Sequence, residues 1–184
     1  MLLCGFNYYL LYRSLFLSQL FFITFKIHTM GCRITKLLPA PPKVITKLTG
    51  DELRNILQTQ LNNPDRMHIT DAMYGLYSMN DLKGFLESDY TDSLKYVKES
   101  FDCDNFAMVL LGHEKEWYGQ GKTFCGSCFG YLAGDIRKSE TDTERRGHAV
   151  NFFIDENKKV WLIEPQTDAI FELTSNSKVW IAIV

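Results

Sequence analysis

A net charge of one sign is the first thing missing from this chain. Twenty basic against 22 acidic side chains leave a formal charge of −2, which gives no field to gather nucleic acid or an anionic membrane surface. Cysteine is sparse as well. The five present, Cys4, Cys32, Cys103, Cys125 and Cys128, are odd in number and irregular in spacing, so the disulfide framework of a small secreted scaffold is excluded and free thiols in a reducing compartment are expected. Repeats and low-complexity tracts are absent, and 184 residues leave no room for two ordinary domains plus linkers. One domain with a sizeable core is the expectation.

A long hydrophobic run is also lacking. The most apolar stretch, Leu15 to Phe25 between Arg13 and Lys26, would rise only about 16 Å as a helix, roughly half a bilayer core, and extending it toward Tyr8 brings in Arg13. A membrane-spanning helix is therefore not expected. Residues 1–29 are read as an apolar N-terminal segment with three candidate origins: upstream sequence ahead of a start at Met30, a targeting segment, or a structured extension. With Met30 as the start, Met30-Gly31-Cys32-Arg33-Ile34-Thr35 fits an N-myristoylation pattern. A cytoplasmic location follows from the thiols, with secretion or membrane contact expected only if residues 1–29 are retained as a targeting segment. Residues 30–48, with Pro39, Pro41 and Pro42, form an extended lead-in, and the domain occupies 49–184.

What is present is a change of period along the domain. Thr49-Gly50-Asp51-Glu52 is a capping box, and Leu53, Ile56, Leu57 and Leu61 follow at helical spacing until Asn62-Asn63-Pro64 stops them. Asn80 is placed to cap a short helix carrying Leu82, Phe85 and Leu86, with a further helical turn or two that turns Leu94 and Val97 inward. Asp102 caps the next helix, with Phe106, Val109 and Leu110 as its apolar stripe and Gly112 where a left-handed C-terminal residue is wanted. Beyond residue 121 the pattern is strand-like: Thr123 to Leu132, then Gly147 to Ile154 and Lys159 to Glu164 as a hairpin, then Ile170 to Thr174 and Lys178 to Val184. The expected class is α+β, papain-like or transglutaminase-like, with N-terminal helices packed on a C-terminal antiparallel sheet.

Three positions carry chemistry in a suggestive order. Cys103 opens a helix, where unpaired amides and the dipole favour thiolate, although Asp102 and Asp104 oppose it and a cationic partner is needed. His148 is that candidate. With the hairpin turn centred on Glu156, Val150 faces Leu162, Phe152 faces Val160, and His148 faces Glu164 across about 4.5–5.5 Å between Cβ atoms. A slip of one residue would part the last pair onto opposite faces. Cys103 as nucleophile, His148 as base and Glu164 as its orienter then make a triad for thiol-dependent amide hydrolysis through a thioester. Amides at the helix start, with Gln166 or Asn151 as auxiliary side-chain donors, would hold the oxyanion.

Asp102-Cys103-Asp104-Asn105-Phe106-Ala107, Gly147-His148-Ala149-Val150-Asn151 and Trp161-Leu162-Ile163-Glu164-Pro165-Gln166 together resemble the C-terminal domain of the Marasmius oreades agglutinin family, over roughly residues 50 to 175. The resemblance implies a papain-like cysteine peptidase acting on a protein or peptide substrate, with Cys103, His148 and Glu164 matching its nucleophile, base and acid. It also implies calcium as a possible cofactor, for which Asp102, Asp104 and Asp71 are acidic candidates, although the residues alone require no cofactor. The β-trefoil lectin half that precedes this domain in the mushroom protein has no counterpart in the residues ahead of it here, so the resemblance does not imply sugar binding.

Other readings of the same residues stand beside this one. Phe124-Cys125-Gly126-Ser127-Cys128-Phe129 has the local look of a papain nucleophile, but His148 follows too soon and the glycines suit a strand, so two small buried thiols are expected. Redox use of that Cys-x-x-Cys, and zinc held by Cys103, His113, Cys125 and Cys128, are the chemical alternatives. The mixed-charge stretch from Lys138 to Arg146 is read as a solvated loop with a gating role as a hypothesis. Acyl transfer or glutamine deamidation by the same thiol, or a catalytically idle binding module of the same fold, are the alternative functions.

Overall fold

A capped first helix is present where the sequence places it. Glu52 N donates to Thr49 Oγ1 at 3.2 Å while Thr49 N donates to the Glu52 carboxylate at 2.8 Å, so two orphan amides at the start of α1 (Gly50–Gln60) are satisfied reciprocally. Asn62 and Asn63 then take left-handed φ values of 54° and 53°, which ends the helix ahead of Pro64. The computed structural model describes residues 38–137, 139, 141 and 147–184. The expectations for residues 1–29, for a start at Met30 and for gating by most of 138–146 lie outside the described residues. No described helix is long and apolar enough to cross a membrane.

β1 (Thr46–Thr49) precedes α1, and β2 (Arg66–His68) and β3 (Met73–Leu76) follow it. The second helix, α2 (Met79–Ser88), starts two residues earlier than expected because Ser78 rather than Asn80 is the cap, its Oγ accepting from Asp81 N at 3.0 Å. The further helix expected near Leu94 and Val97 is only a single 3₁₀ turn, Thr91–Ser93. Val97 is exposed rather than inward, and the segment to Phe101 closes on itself through a Val97–Phe101 bridge. α3 (Cys103–Gly119) runs straight through Gly112. The glycine faces open space, and burial of Glu114, Trp117 and Tyr118 beyond it outweighs the roughly 1 kcal/mol that glycine costs inside a helix.

The remaining strands are β4 (Gly126–Ser127), β5 (Phe129–Asp135), β6 (Gly147–Ile154), β7 (Val160–Glu164), β8 (Ala169–Phe171) and β9 (Lys178–Ile183). They form a three-stranded sheet in the order β1-β3-β4 and a six-stranded sheet in the order β2-β9-β5-β6-β7-β8. Two pairings are parallel, β2 with β9 and β3 with β4, so the single antiparallel sheet expected from the sequence is replaced by two sheets, each with one parallel edge. Strand residues from β6 alternate between two cores. Val150, Phe152 and Ile154 join Leu53, Leu57 and Leu61 of α1, while Phe153 joins Phe85 of α2 and Leu110 and Trp117 of α3.

The β6–β7 register differs from expectation by two residues. Phe152 pairs with Leu162 and Ile154 with Val160, because the turn is built around Asp155, whose Oδ1 accepts from Asn157 N and Lys159 N at 2.8 and 2.9 Å. Lys158 takes the left-handed position at φ 63°. An even slip preserves the alternation of faces. His148 and Glu164 therefore remain on speaking terms, diagonally rather than directly opposed.

The expected class needs correction. Among the described residues nine strands and only three α-helices make a mostly β domain, not a papain-like α+β arrangement of N-terminal helices on one antiparallel sheet. The reason is local: short segments such as Arg66–His68 and Met73–Leu76 find strand partners far away in sequence, which period alone does not reveal.

Candidate functional site

Cys103 is the first residue of α3, half-exposed and free. The entry to the helix is fixed by Asn105, whose Oδ1 accepts from Asp102 N at 3.1 Å, and by Asp104, whose Oδ1 accepts from Asn105 N at 3.0 Å. A hydrogen bond to Asp104 raises the Asp102 carboxyl above its ordinary value, with help from desolvation and the charges of Asp104 and Glu99. Two acids thus stand beside the thiol.

His148 and Glu164 are brought together. Nε2 of His148 lies 2.8 Å from Oε2 of Glu164, with the carboxylate buried at the end of β7 and the imidazole partly exposed. Cys103 makes no hydrogen bond with His148 among the described residues. Asn151 is fully buried, and its amide donates to Ala107 O at 2.9 Å and to Gly130 O at 3.2 Å. Those two bonds tie β6 to α3 and to β5, and they engage both amide hydrogens that an oxyanion would need. Gln166 sits half-buried in the turn after β7.

Sequence reasoning missed a second imidazole–carboxylate pair. Nδ1 of His113 in α3 is 2.6 Å from Oδ1 of Asp89, and the other Asp89 oxygen accepts from Thr91 N at 2.7 Å. Tyr90 packs on the imidazole with ring centroids 4.8 Å apart. This fastens the segment that carries Tyr96, itself 49% exposed, to the helix that carries Cys103. Desolvation, then electrostatic repulsion from the Asp102 side, raise the Tyr96 phenol above its ordinary value. Burial, then Asp104 and Cys103, do the same for Tyr131 of β5.

The far end of α3 is built differently. Glu114 is fully buried and accepts from Tyr77 Oη and Ser127 Oγ, each at 2.8 Å. Lys115 Nζ donates to Ser127 Oγ at 2.7 Å and to Phe129 O at 2.8 Å. Burial raises the Glu114 carboxyl and lowers the Lys115 ammonium. Burial also pushes the Cys128 thiol up, while Cys125 Sγ lies 3.3 Å from Tyr118 Oη. Cys125 and Cys128 are small structural thiols. The residues considered for zinc are dispersed: His113 is paired with Asp89, and no group of three or more metal-ligating side chains forms among the described residues. The acids considered for calcium lie apart from one another in two places. Asp102 and Asp104 are hydrogen-bonded to each other, and Asp71 lies against Gly126 of β4.

Comparison with known proteins places this geometry in a family. A family model described as "Agglutinin C-terminal" matches residues 77–170, which include Cys103, His148 and Glu164. No curated protein matches the chain. Among solved structures, a chain titled "PSL1a-E64 complex" is similar with a TM-score of 0.61 at 20% identity, covering 75% of this chain and 50% of that one. A Polyporus squamosus lectin, bound to the human-type influenza-binding epitope Neu5Acα2-6Galβ1-4GlcNAc, is similar with a TM-score of 0.62 at 20% identity, covering 75% of this chain and 49% of that one. The fold is thus shared with lectin chains, and this chain spans about half of their length.

These findings overturn the peptidase expectation. The family is one of agglutinins and the fold is shared with a lectin. The description as a hydrolase, a papain-like cysteine or thiol protease, is corrected accordingly. Of that reading, membership of an agglutinin C-terminal domain family stands.

Proposed function

The chain belongs to the agglutinin C-terminal family, and from that premise we propose that its domain is a non-enzymatic, lectin-like binding module with a carbohydrate ligand. The observation that carries the reading is the matched segment itself: residues 77–170 hold the half-exposed start of α3, the fastened segment with Tyr96, and the His148–Glu164 pair. A lectin of the same fold holds a sialylated trisaccharide. The chemistry of the region suits reversible binding. A partly exposed imidazole held by a buried carboxylate at 2.8 Å, carboxylates at the helix start and exposed phenols offer directional polar contacts beside apolar ring faces.

Calorimetric titration of the full chain with Galβ1-4GlcNAc and with Neu5Acα2-6Galβ1-4GlcNAc tests the proposal, alongside a peptide-library digest by wild type and Cys103→Ala. Saturable saccharide heat with no cleavage of peptides is expected. Peptide cleavage that disappears in Cys103→Ala would overturn the binding-module reading.

A further inference from the structure

Acidic residues are unevenly spread along this chain. None of the 22 lies ahead of Asp51, whereas six of the 20 basic ones do: Arg13, Lys26, Arg33, Lys36, Lys43 and Lys47. The formal charge of −2 therefore averages a basic beginning with an acidic remainder, and salt confines the influence of each to about 10 Å.

Printed contacts carry the end of that basic stretch onto the loop between α3 and β4. Trp117 Nε1 donates to Pro39 O at 2.9 Å and to Ala40 O at 3.2 Å, a Cβ on Gly121 would lie 3.5 Å from Cβ of Pro41, and Lys47 Nζ donates to Thr123 O at 3.5 Å. Residues 38–49 and 117–125 are thereby neighbours. Together they hold Lys43, Lys47 and Lys122, all exposed, and no acid. Asp71, whose carboxylate lies against Gly126, stands at the border. Within this basic face Phe124 is 97% exposed and takes a left-handed φ of 54°, two residues after Lys122 at 51°, a conformation that bulky side chains rarely adopt. Thr123 Oγ1 donates to Cys125 O at 3.3 Å across the turn, so the loop that presents the ring is braced. Ile45, two residues before Lys47, is 55% exposed. A strained backbone that holds an apolar ring in water is the kind of outlier that marks a contact surface.

We propose that this face docks on an anionic lipid surface, with Phe124 and Ile45 entering the headgroup layer and Lys43, Lys47 and Lys122 meeting lipid phosphates. Apolar side chains rimmed by lysine are what an interfacial site requires, since the rings gain by leaving water while the ammonium groups stay at headgroup level. The sequence ahead of the lead-in has matching chemistry: the run from Leu15 to Phe25 is apolar and bounded by Arg13 and Lys26, a composition that acyl chains accept and that nucleic acid would leave exposed. The proposal goes beyond the carbohydrate reading and does not depend on it.

Co-sedimentation of the full chain with vesicles of equal parts phosphatidylcholine and phosphatidylserine, and with vesicles of phosphatidylcholine alone, decides it for wild type, Phe124→Ala, Phe124→Trp and the double variant Lys47→Gln/Lys122→Gln, with a thermal melt of each as the check on folding. Wild type is expected to prefer the anionic vesicles and to lose that preference at high salt. Phe124→Ala is expected to weaken binding about tenfold, and the double variant about fivefold for each charge removed. Phe124→Trp should keep the affinity and shift its indole emission to the blue on the vesicles. Equal binding by wild type and a folded Phe124→Ala variant would show that the upstream apolar run alone holds lipid, and would overturn the proposal. Wild type that ignores anionic vesicles, or binds both kinds equally, overturns it as well.

Discussion

The two ends of α3 treat polarity in opposite ways. At one end Glu114 is buried and Lys115 half-buried, and Tyr77, Ser127 and the Phe129 carbonyl satisfy them. At the other, Cys103, Asp102 and Asp104 remain partly open to solvent beside exposed aromatics. A buried charge is tolerated only when every partner is in place, so the first end is committed to holding α3 against β4 and β5. Polar groups at the second end keep unsatisfied capacity, which is what a ligand needs. One helix thus joins a sealed end to an open one along its length.

Mutations can break that division in order of size. Glu114→Ala removes the acceptor of two buried hydroxyl donors and leaves the half-buried Lys115 ammonium beside the gap. A loss of about 3–5 kcal/mol in urea unfolding is expected. Glu114→Gln probes the same place through pH. Because burial raises the Glu114 carboxyl above 4.5, the folded chain keeps that proton to higher pH than the unfolded chain does. The contribution is full below about 4.5 and is lost as pH rises through the folded value, so unfolding free energy from this group falls with rising pH in that window. Thermal melts from pH 4 to 7 should show that fall in wild type and not in the glutamine variant. Thr49→Ala, which removes the α1 cap, is expected to cost about 1 kcal/mol. At the other end, Cys103→Ala should change unfolding free energy by no more than about 0.5 kcal/mol. A large loss there would show that the start of α3 is also structural.

The sequence legibly marked what is encoded locally. The Thr49–Glu52 box and the left-handed Asn62-Asn63 pair before Pro64 are short-range features, and both appear in the structure. The β6–β7 hairpin was legible as a hairpin but not in register, since the deciding contacts are side-chain bonds from Asp155 to its own turn. Gly112 signalled a helix end that packing of Trp117 and Tyr118 overrides. The short strands Arg66–His68 and Met73–Leu76 carry too few residues for alternation to register. The His148–Glu164 contact was readable because an even slip keeps both on one face. The Asp89–His113 pair was not, because its partners come from the end of one helix and the middle of another. Asn151 was readable as important, but its donors go to Ala107 and Gly130, a role only the packed helix reveals.

The parallel pairing of β2 with β9 sets Arg66 beside Ile181 and His68 beside Ile183, and Thr70 Oγ1 bonds Val184 O at 2.8 Å. During synthesis the hairpin of β6 and β7 can close soon after it is made, whereas β2 waits with an unpaired edge until β9 has left the ribosome. Closure of the β2 edge is therefore a late event with long-range loop closure, and the nascent chain depends for that interval on remaining unaggregated.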